Sequence, residues 1–169
     1  MKLTSLLEHL EYEVCQGSDD IEVTELINDS RKVKEGSVFV CIAGAVTDGH
    51  EYIEDVASKG AAAVIVERSV NAPEGMTVIH VDDTRYALAL MSAAYFGYPA
   101  KKLNVIGITG TKGKTTTTYM VKSILEGVGH KVGLIGTIET IIGDKTIPAS
   151  NTTPESYTCL LYTSPSPRD

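Results

Sequence analysis

The chain has 169 residues, 43% hydrophobic and 22% charged, a composition that buries a core rather than staying disordered. Its net charge of −7 and pI of about 5.1 argue against a nucleic-acid binder, which needs a basic face to neutralise phosphates. Cys15, Cys41 and Cys159, odd in number and irregular in spacing, make neither a disulfide framework nor a zinc site.

The opening segment, M-K-L-T-S-L-L-E-H-L-E, is too acidic and too short in apolar residues for a signal peptide. No segment reaches the roughly 18 apolar residues of a membrane span. A cytoplasmic protein without membrane insertion is therefore expected. Within the opening segment, Ser5 and Glu8 fit a capping box for a short helix. A polar stretch runs to Asp20, followed by a β-like run over 21–27 and a buried strand, V-F-V-C-I, from Val38 to Ile42. Cys41 lies in that run and is expected in the core. After the loop A-G-A-V-T-D-G-H, the pattern predicts a helix over 51–59 capped by Gly60. Strands are predicted over 61–66 and 77–81, with N-A-P-E-G as the turn between them. Asp82 and Asp83 lead into a helix that Thr84 can cap and that Gly97 and Pro99 stop. Alternating strands and helices give an α/β class.

The stretch P-A-K-K-L is a natural boundary. Beyond it the pattern predicts a strand over 103–109, a helix over 114–126, a strand over 131–135, and a hairpin over 138–147 turning at Gly143-Asp144. The expected organisation is a small N-terminal α/β domain (1–100), then the start of a P-loop, Rossmann-like domain (101–157). Residues 158–169 read as a polar, proline-rich tail, non-native or disordered.

The strongest chemical signal is V-I-G-I-T-G-T-K-G-K-T-T-T-T. Gly110 and Gly113 let the backbone curl so that several N–H groups face one anion. The helix behind them adds its positive end. Lys114 offers an ammonium to the β- and γ-phosphates of ATP, and Thr115 a hydroxyl to Mg²⁺. The usual consensus asks for a glycine where Ile108 stands, so this is a compact variant. Lys112 is expected outside the cradle. Thr116 reads either as a phosphate contact or as ordinary first-turn helix, and Thr117 and Thr118 as helix surface.

Three separated segments, D-S-R-K-V-K-E-G-S-V-F-V-C-I-A-G-A-V-T-D-G-H from Asp29, G-T-K-G-K-T-T from Gly110 and N-T-T-P-E-S from Asn151, resemble the Mur ligase family, which builds the peptide of bacterial cell-wall precursors. The third segment looks most like the member that adds the third residue. The resemblance implies an ATP-dependent amide ligase. ATP and Mg²⁺ would activate the D-Glu carboxylate of UDP-MurNAc-L-Ala-D-Glu as an acyl phosphate, and a diamino acid, L-lysine or meso-diaminopimelate, would displace the phosphate. It also implies a UDP-binding role for the first domain. Carried over residue by residue, Asn28 and Ser30 would touch the UDP end, and Ala45, Val46 and Thr47 would hold uridine and pyrophosphate. Gly110, Thr111, Lys112, Gly113, Lys114, Thr115 and Thr116 would form the ATP loop. Asn151, Thr152 and Thr153 would hold the muramoyl peptide.

Plainer readings stand beside these. Asp29-Ser30 also suits a turn cap, Asp48-Gly49-His50 a turn entering a helix, and Asn151 to Thr153 the cap of a following helix. His50 is a poor catalytic candidate. Glu139 and Glu155 have no spacing that assigns them to a metal, and Arg31 and Arg85 read as solvated or ion-paired. The family's later catalytic parts have no counterpart before Asp169, so the polypeptide is expected to be inactive alone, and monomeric. Two alternatives are a different P-loop enzyme, although the guanine-reading N-K-x-D motif is absent, and a non-catalytic UDP- or ATP-binding module.

Overall fold

A computed structural model describes residues 1–44, 47–149 and 154–163. The chain divides into two compact units, Met1–Gly97 and a second from Tyr98 onward.

The first unit is a five-stranded sheet. In chain order its strands are β1 (Glu13–Gln16), β2 (Leu26–Ile27), β3 (Val38–Val40), β4 (Ala63–Val66) and β5 (Thr77–His80). Their order across the sheet is β1-β5-β4-β3-β2. The last four run parallel, with Val38 opposite Ala63 and Ala63 opposite Thr77. Parallel strands covered on both faces read as continuous apolar runs, and β4, A-V-I-V, is buried at every position. Alternation along the strands divides the core in two. Phe39, Val64 and Val78 join Ile53 and Val56 of helix α2 (Ile53–Ser58) on one face. The other strand positions, including Val38, Ile65 and Ile79, face the layer built from α1 (Leu3–Leu7) and α3 (Thr84–Tyr95). In α3, Thr84, Ala87, Leu88, Met91 and Ser92 are buried, the spacing of one helical face.

The sequence signals differ from the structure in several places. Ser5 does not cap α1; the helix starts earlier, behind Lys2, with no side-chain cap. The polar stretch before Asp20 contains β1, which pairs antiparallel with β5 at the sheet edge. Its exposed residues carry no apolar alternation to announce it. The ladder skips a residue between Val14 and Gln16, so the exposed Cys15 sits in a bulge, whereas Cys41 is buried as expected. Asp83, not Thr84, caps α3: its carboxylate accepts the Arg85 and Tyr86 N–H groups at 2.8 and 2.9 Å. Gly60, at φ +86°, closes α2 as read, its N–H donating to Ala57 O at 2.9 Å.

The second unit holds α4 (Lys114–Gly127) and three antiparallel strands, β6 (Leu134–Ile135), β7 (Glu139–Ile142) and β8 (Lys145–Pro148), then α5 (Ser156–Thr163). The hairpin turns at Gly143-Asp144, with Ile142 opposite Lys145 and Gly143 at φ +55°. The strand predicted over 103–109 does not form. Its backbone finds no neighbouring strand among the described residues, and Val105 and Ile106 lie 74% and 61% exposed. Helix α5 carries the described chain through Thr163, into the segment read as a tail, whose remaining residues 164–169 lie outside the described residues.

Candidate functional site

Two places carry the residues singled out from sequence, one in each unit. In the first unit they gather at the carboxyl ends of the parallel strands, where open α/β sheets bind ligands. Asn28 and Ser30 follow β2, and Thr47 lies in the loop after β3. Because β2 and β3 are adjacent in the sheet, these residues share one edge. Ala45 and Val46 lie outside the described residues.

The backbone after β2 is fixed by Asp29. Its carboxylate accepts the Arg31 N–H at 3.1 Å, starting a 3₁₀ turn over Ser30–Lys32, and accepts Arg31 Nε and Nη2 at 2.8 and 2.9 Å. The guanidinium holds the Asp29 carboxyl below its ordinary range. Arg31 is thus ion-paired, and Asp29 does form the turn cap of the plainer reading. Ser30 stays half-buried, and its carbonyl accepts Lys59 Nζ at 2.9 Å.

The loop after β3 has a closed stem. Ala43 and Asp48 form an antiparallel bridge, Gly44 N–H donates to Thr47 O at 2.9 Å, and Gly49 N–H to Ile42 O at 2.9 Å. Gly49 is required by contact: a Cβ there would lie 2.7 Å from Ile42 N and 2.9 Å from Cys41 Cα. Asp48 caps the 3₁₀ turn Gly49–Tyr52, accepting the His50 N–H at 2.9 Å, with His50 Nδ1 2.6 Å from the same oxygen. The second carboxylate oxygen lies 2.6 Å from Arg68 Nη2. The His50 N–H is the largest influence holding the Asp48 carboxyl below its ordinary range. His50 is therefore more than turn entry. Its side chain is 2% exposed, and Nε2 accepts the Glu67 N–H at 3.2 Å, so the ring proton sits on Nδ1 and is donated to Asp48. Glu67 in turn accepts the Thr84 hydroxyl at 2.6 Å and its N–H at 3.1 Å. Arg85 donates to Ala43 O at 3.3 Å. Nothing in the sequence marks Arg68 or Glu67, because each meets its partner only through the strand ends that the fold brings together.

In the second unit, Gly110 and Gly113 have φ of +149° and +78°, backbone that side-chain-bearing residues avoid. Gly113 precedes α4 with no side-chain cap, so the first-turn N–H groups are left to an outside acceptor. Lys114 Nζ donates to Gly110 O at 2.7 Å, folding the ammonium back across the loop. Thr111 and Lys112 are exposed, Thr115 is half-buried and Thr116 exposed. Thr117 and Thr118 turn their hydroxyls onto the carbonyls of Gly113 and Thr115, at 2.9 and 2.7 Å, as helix residues. Glu139 is held by the Tyr119 hydroxyl, which it pushes above its ordinary pKa. Asn151, Thr152 and Thr153 lie outside the described residues.

The described residues contain no group of three or more His, Cys, Asp or Glu that would hold a metal by themselves. Thr115 provides one oxygen, so a Mg²⁺ there would fit only with nucleotide phosphates and water as its other ligands. No helix of the described residues is long and apolar enough to cross a membrane.

Comparison with known proteins finds one family along both units. The profile of the Mur ligase family, catalytic domain, matches residues 22–96, and that of the Mur ligase middle domain matches residues 108–166. The chain is 51% identical over 157 residues to the UDP-N-acetylmuramoyl-L-alanyl-D-glutamate--2,6-diaminopimelate ligase of Clostridium perfringens, covering 93% of this chain and 32% of that one. A solved structure of a ligase with that same name superposes with a TM-score of 0.71 over 96% of this chain and 32% of the other; at 20% identity the likeness is one of fold. A MurF ligase from Thermotoga maritima in complex with ADP matches with a TM-score of 0.54 and 25% identity, over 84% of this chain and 29% of that one. The chain thus spans about a third of the length of the relatives it matches.

Proposed function

We propose, because this chain belongs to the Mur ligase family, that it is part of an ATP-dependent ligase that adds a diamino acid to UDP-MurNAc-L-Ala-D-Glu in the cytoplasm. The observation that carries the proposal is the uncapped head of α4 behind Gly113, with Lys114 folded across it. The first-turn N–H groups and the ammonium belong to one loop, a set of donors suited to the phosphates of ATP. The ADP-bound Thermotoga relative supports a nucleotide in this role. The shared name of the curated relatives favours 2,6-diaminopimelate over lysine as the incoming amine.

In the whole ligase, the substrate carboxylate would attack the γ-phosphorus of ATP and release ADP. The amine would then attack the acyl carbon and release phosphate. Lys114 and the α4 amides would offset charge on the phosphoryl oxygens as that transfer proceeds. Thr115 would contribute one oxygen to Mg²⁺, whose contribution when bound is to neutralise phosphate charge. The first unit would hold the substrate's UDP end through Asn28, Ser30 and the loop of Ala45, Val46 and Thr47, and Asn151 to Thr153 would meet the muramoyl peptide. The domain assignment is proposed accordingly: a UDP-binding unit, then the start of the ATP-binding unit.

Calorimetric titration tests this on the chain itself. Lys114→Ala is expected to weaken Mg-ATP binding at least about tenfold, the loss of a charge-assisted contact, and to leave UDP binding unchanged. ATP affinity indifferent to Lys114 would remove the phosphate-loop assignment. Ser30→Ala is expected to do the reverse, weakening UDP and sparing ATP.

A further inference from the structure

Asp48 poses an electrostatic problem at the loop after β3. If the carboxyl-end edge of β2 and β3 receives a diphosphate, as the proposed function requires, the Asp48 carboxylate repels the ligand. The structure shows how that charge is handled. One carboxylate oxygen is bound to the His50 ring and backbone N–H, and the other lies 2.6 Å from Arg68 Nη2. The His50 ring is buried and reaches across to the Glu67 N–H, so the loop stem is tied to the end of β4. The Glu67 carboxylate carries the tie on to the start of α3. Arg68 differs from the rest of this chain of contacts, because its side chain is 56% exposed. A surface ion pair of that kind contributes only about 0–1 kcal/mol to stability, so its removal should scarcely alter folding.

We propose that Asp48, His50 and Arg68 are positioning residues for diphosphate recognition. His50 pins Asp48 to the end of β4, and Arg68 cancels the Asp48 charge so that this edge of the sheet accepts the diphosphate of a uridine nucleotide. The inference rests on the uridine-nucleotide reading of this edge and adds to it a means of discriminating UDP from uridine.

The experiment titrates the full chain and its variants with UDP and with uridine, and records melting temperatures alongside. Arg68→Met is expected to weaken UDP by roughly five- to tenfold, the effect of one uncompensated charge near the surface. It should leave uridine affinity within about twofold, because a neutral ligand does not feel that charge, and should barely move the melting temperature. Adding Asp48→Asn to Arg68→Met removes the exposed charge and is expected to recover most of the UDP affinity. His50→Gln, which cannot reach both ring partners, is expected to weaken UDP at temperatures well below its own melting point. Arg68→Met binding UDP like the unaltered chain, losing UDP and uridine equally, or failing to recover with Asp48→Asn would each overturn the proposal. An unaltered chain that binds neither ligand would overturn the uridine reading itself, and this inference with it.

Discussion

Asp29, Asp48 and Glu67 each hold a proton less tightly in the folded chain than in the unfolded one. The causes are the Arg31 guanidinium, the His50 N–H and the Thr84 hydroxyl respectively. A carboxyl whose folded pKa is depressed contributes stability above its unfolded pKa, near 4. That contribution is lost as pH falls through the lower folded value. The stabilisation from these three carboxylates should therefore be complete above roughly pH 5 and should fade below about pH 4, lowering the melting temperature there. Asp48→Asn should make that fall shallower, which thermal melts at a series of pH values would read; a rise on acidification would contradict the assignment. Gly49→Ala sets sterics against backbone that cannot move, since Ile42 N and Cys41 Cα stand within 2.9 Å of the added carbon. A loss of about 1–3 kcal/mol is expected in denaturant unfolding. At this scale the sequence was legible where chemistry is local. The Asp-Ser turn and the glycine-lysine loop are visible as neighbours in the chain. The role of His50 was not, because its partner, the Glu67 N–H, lies 17 residues away.

Helix α3 shows what governs an element. Asp83 satisfies two of its orphan N–H groups, so Asp83→Ala should cost about 1 kcal/mol. The Ser92 hydroxyl is buried with no hydrogen-bond partner among the described residues. Ser92→Ala should therefore be neutral or stabilising by up to about 1 kcal/mol, since it removes an unmet polar group from the core. Unfolding curves of the two variants should shift in opposite directions or, for Ser92→Ala, not at all. The apolar spacing of α3 made the helix readable, but the cap expected at Thr84 falls on Asp83, because Thr84 turns its hydroxyl to Glu67 while the Asp83 carboxylate accepts the two first-turn N–H groups. The stretch 103–109 shows the opposite limit. Its β pattern is clear, yet a strand is a property of a pair, and no partner strand is present among the described residues. Edge strand β1 was missed for a related reason: an exposed strand held by its neighbour's backbone needs no apolar alternation.

Across the whole molecule, the buried apolar side chains are unevenly divided. Of the buried apolar residues described, only Pro99 and Leu134 lie beyond Gly97, and α4 buries none. Hydrogen exchange should reflect this, with strong protection in β3, β4 and α3 and weak protection in α4 and the β7–β8 hairpin. Comparable protection in both units would contradict that division. Binding of Mg-ATP to the Gly110–Lys114 loop should raise protection in α4 and leave β4 unchanged, because a ligand stabilises the state that it binds. The three thiols differ in the same uneven way. Burial pushes Cys41 up to about 12 and raises Cys159, whereas Cys15 stands exposed in the β1 bulge. Thiolate is the reacting form, so an alkylating dye at neutral pH should label Cys15 first. The chain thereby offers its own attachment point for a dye at the β1 edge of the sheet, with no engineered cysteine needed to follow unfolding of the first unit.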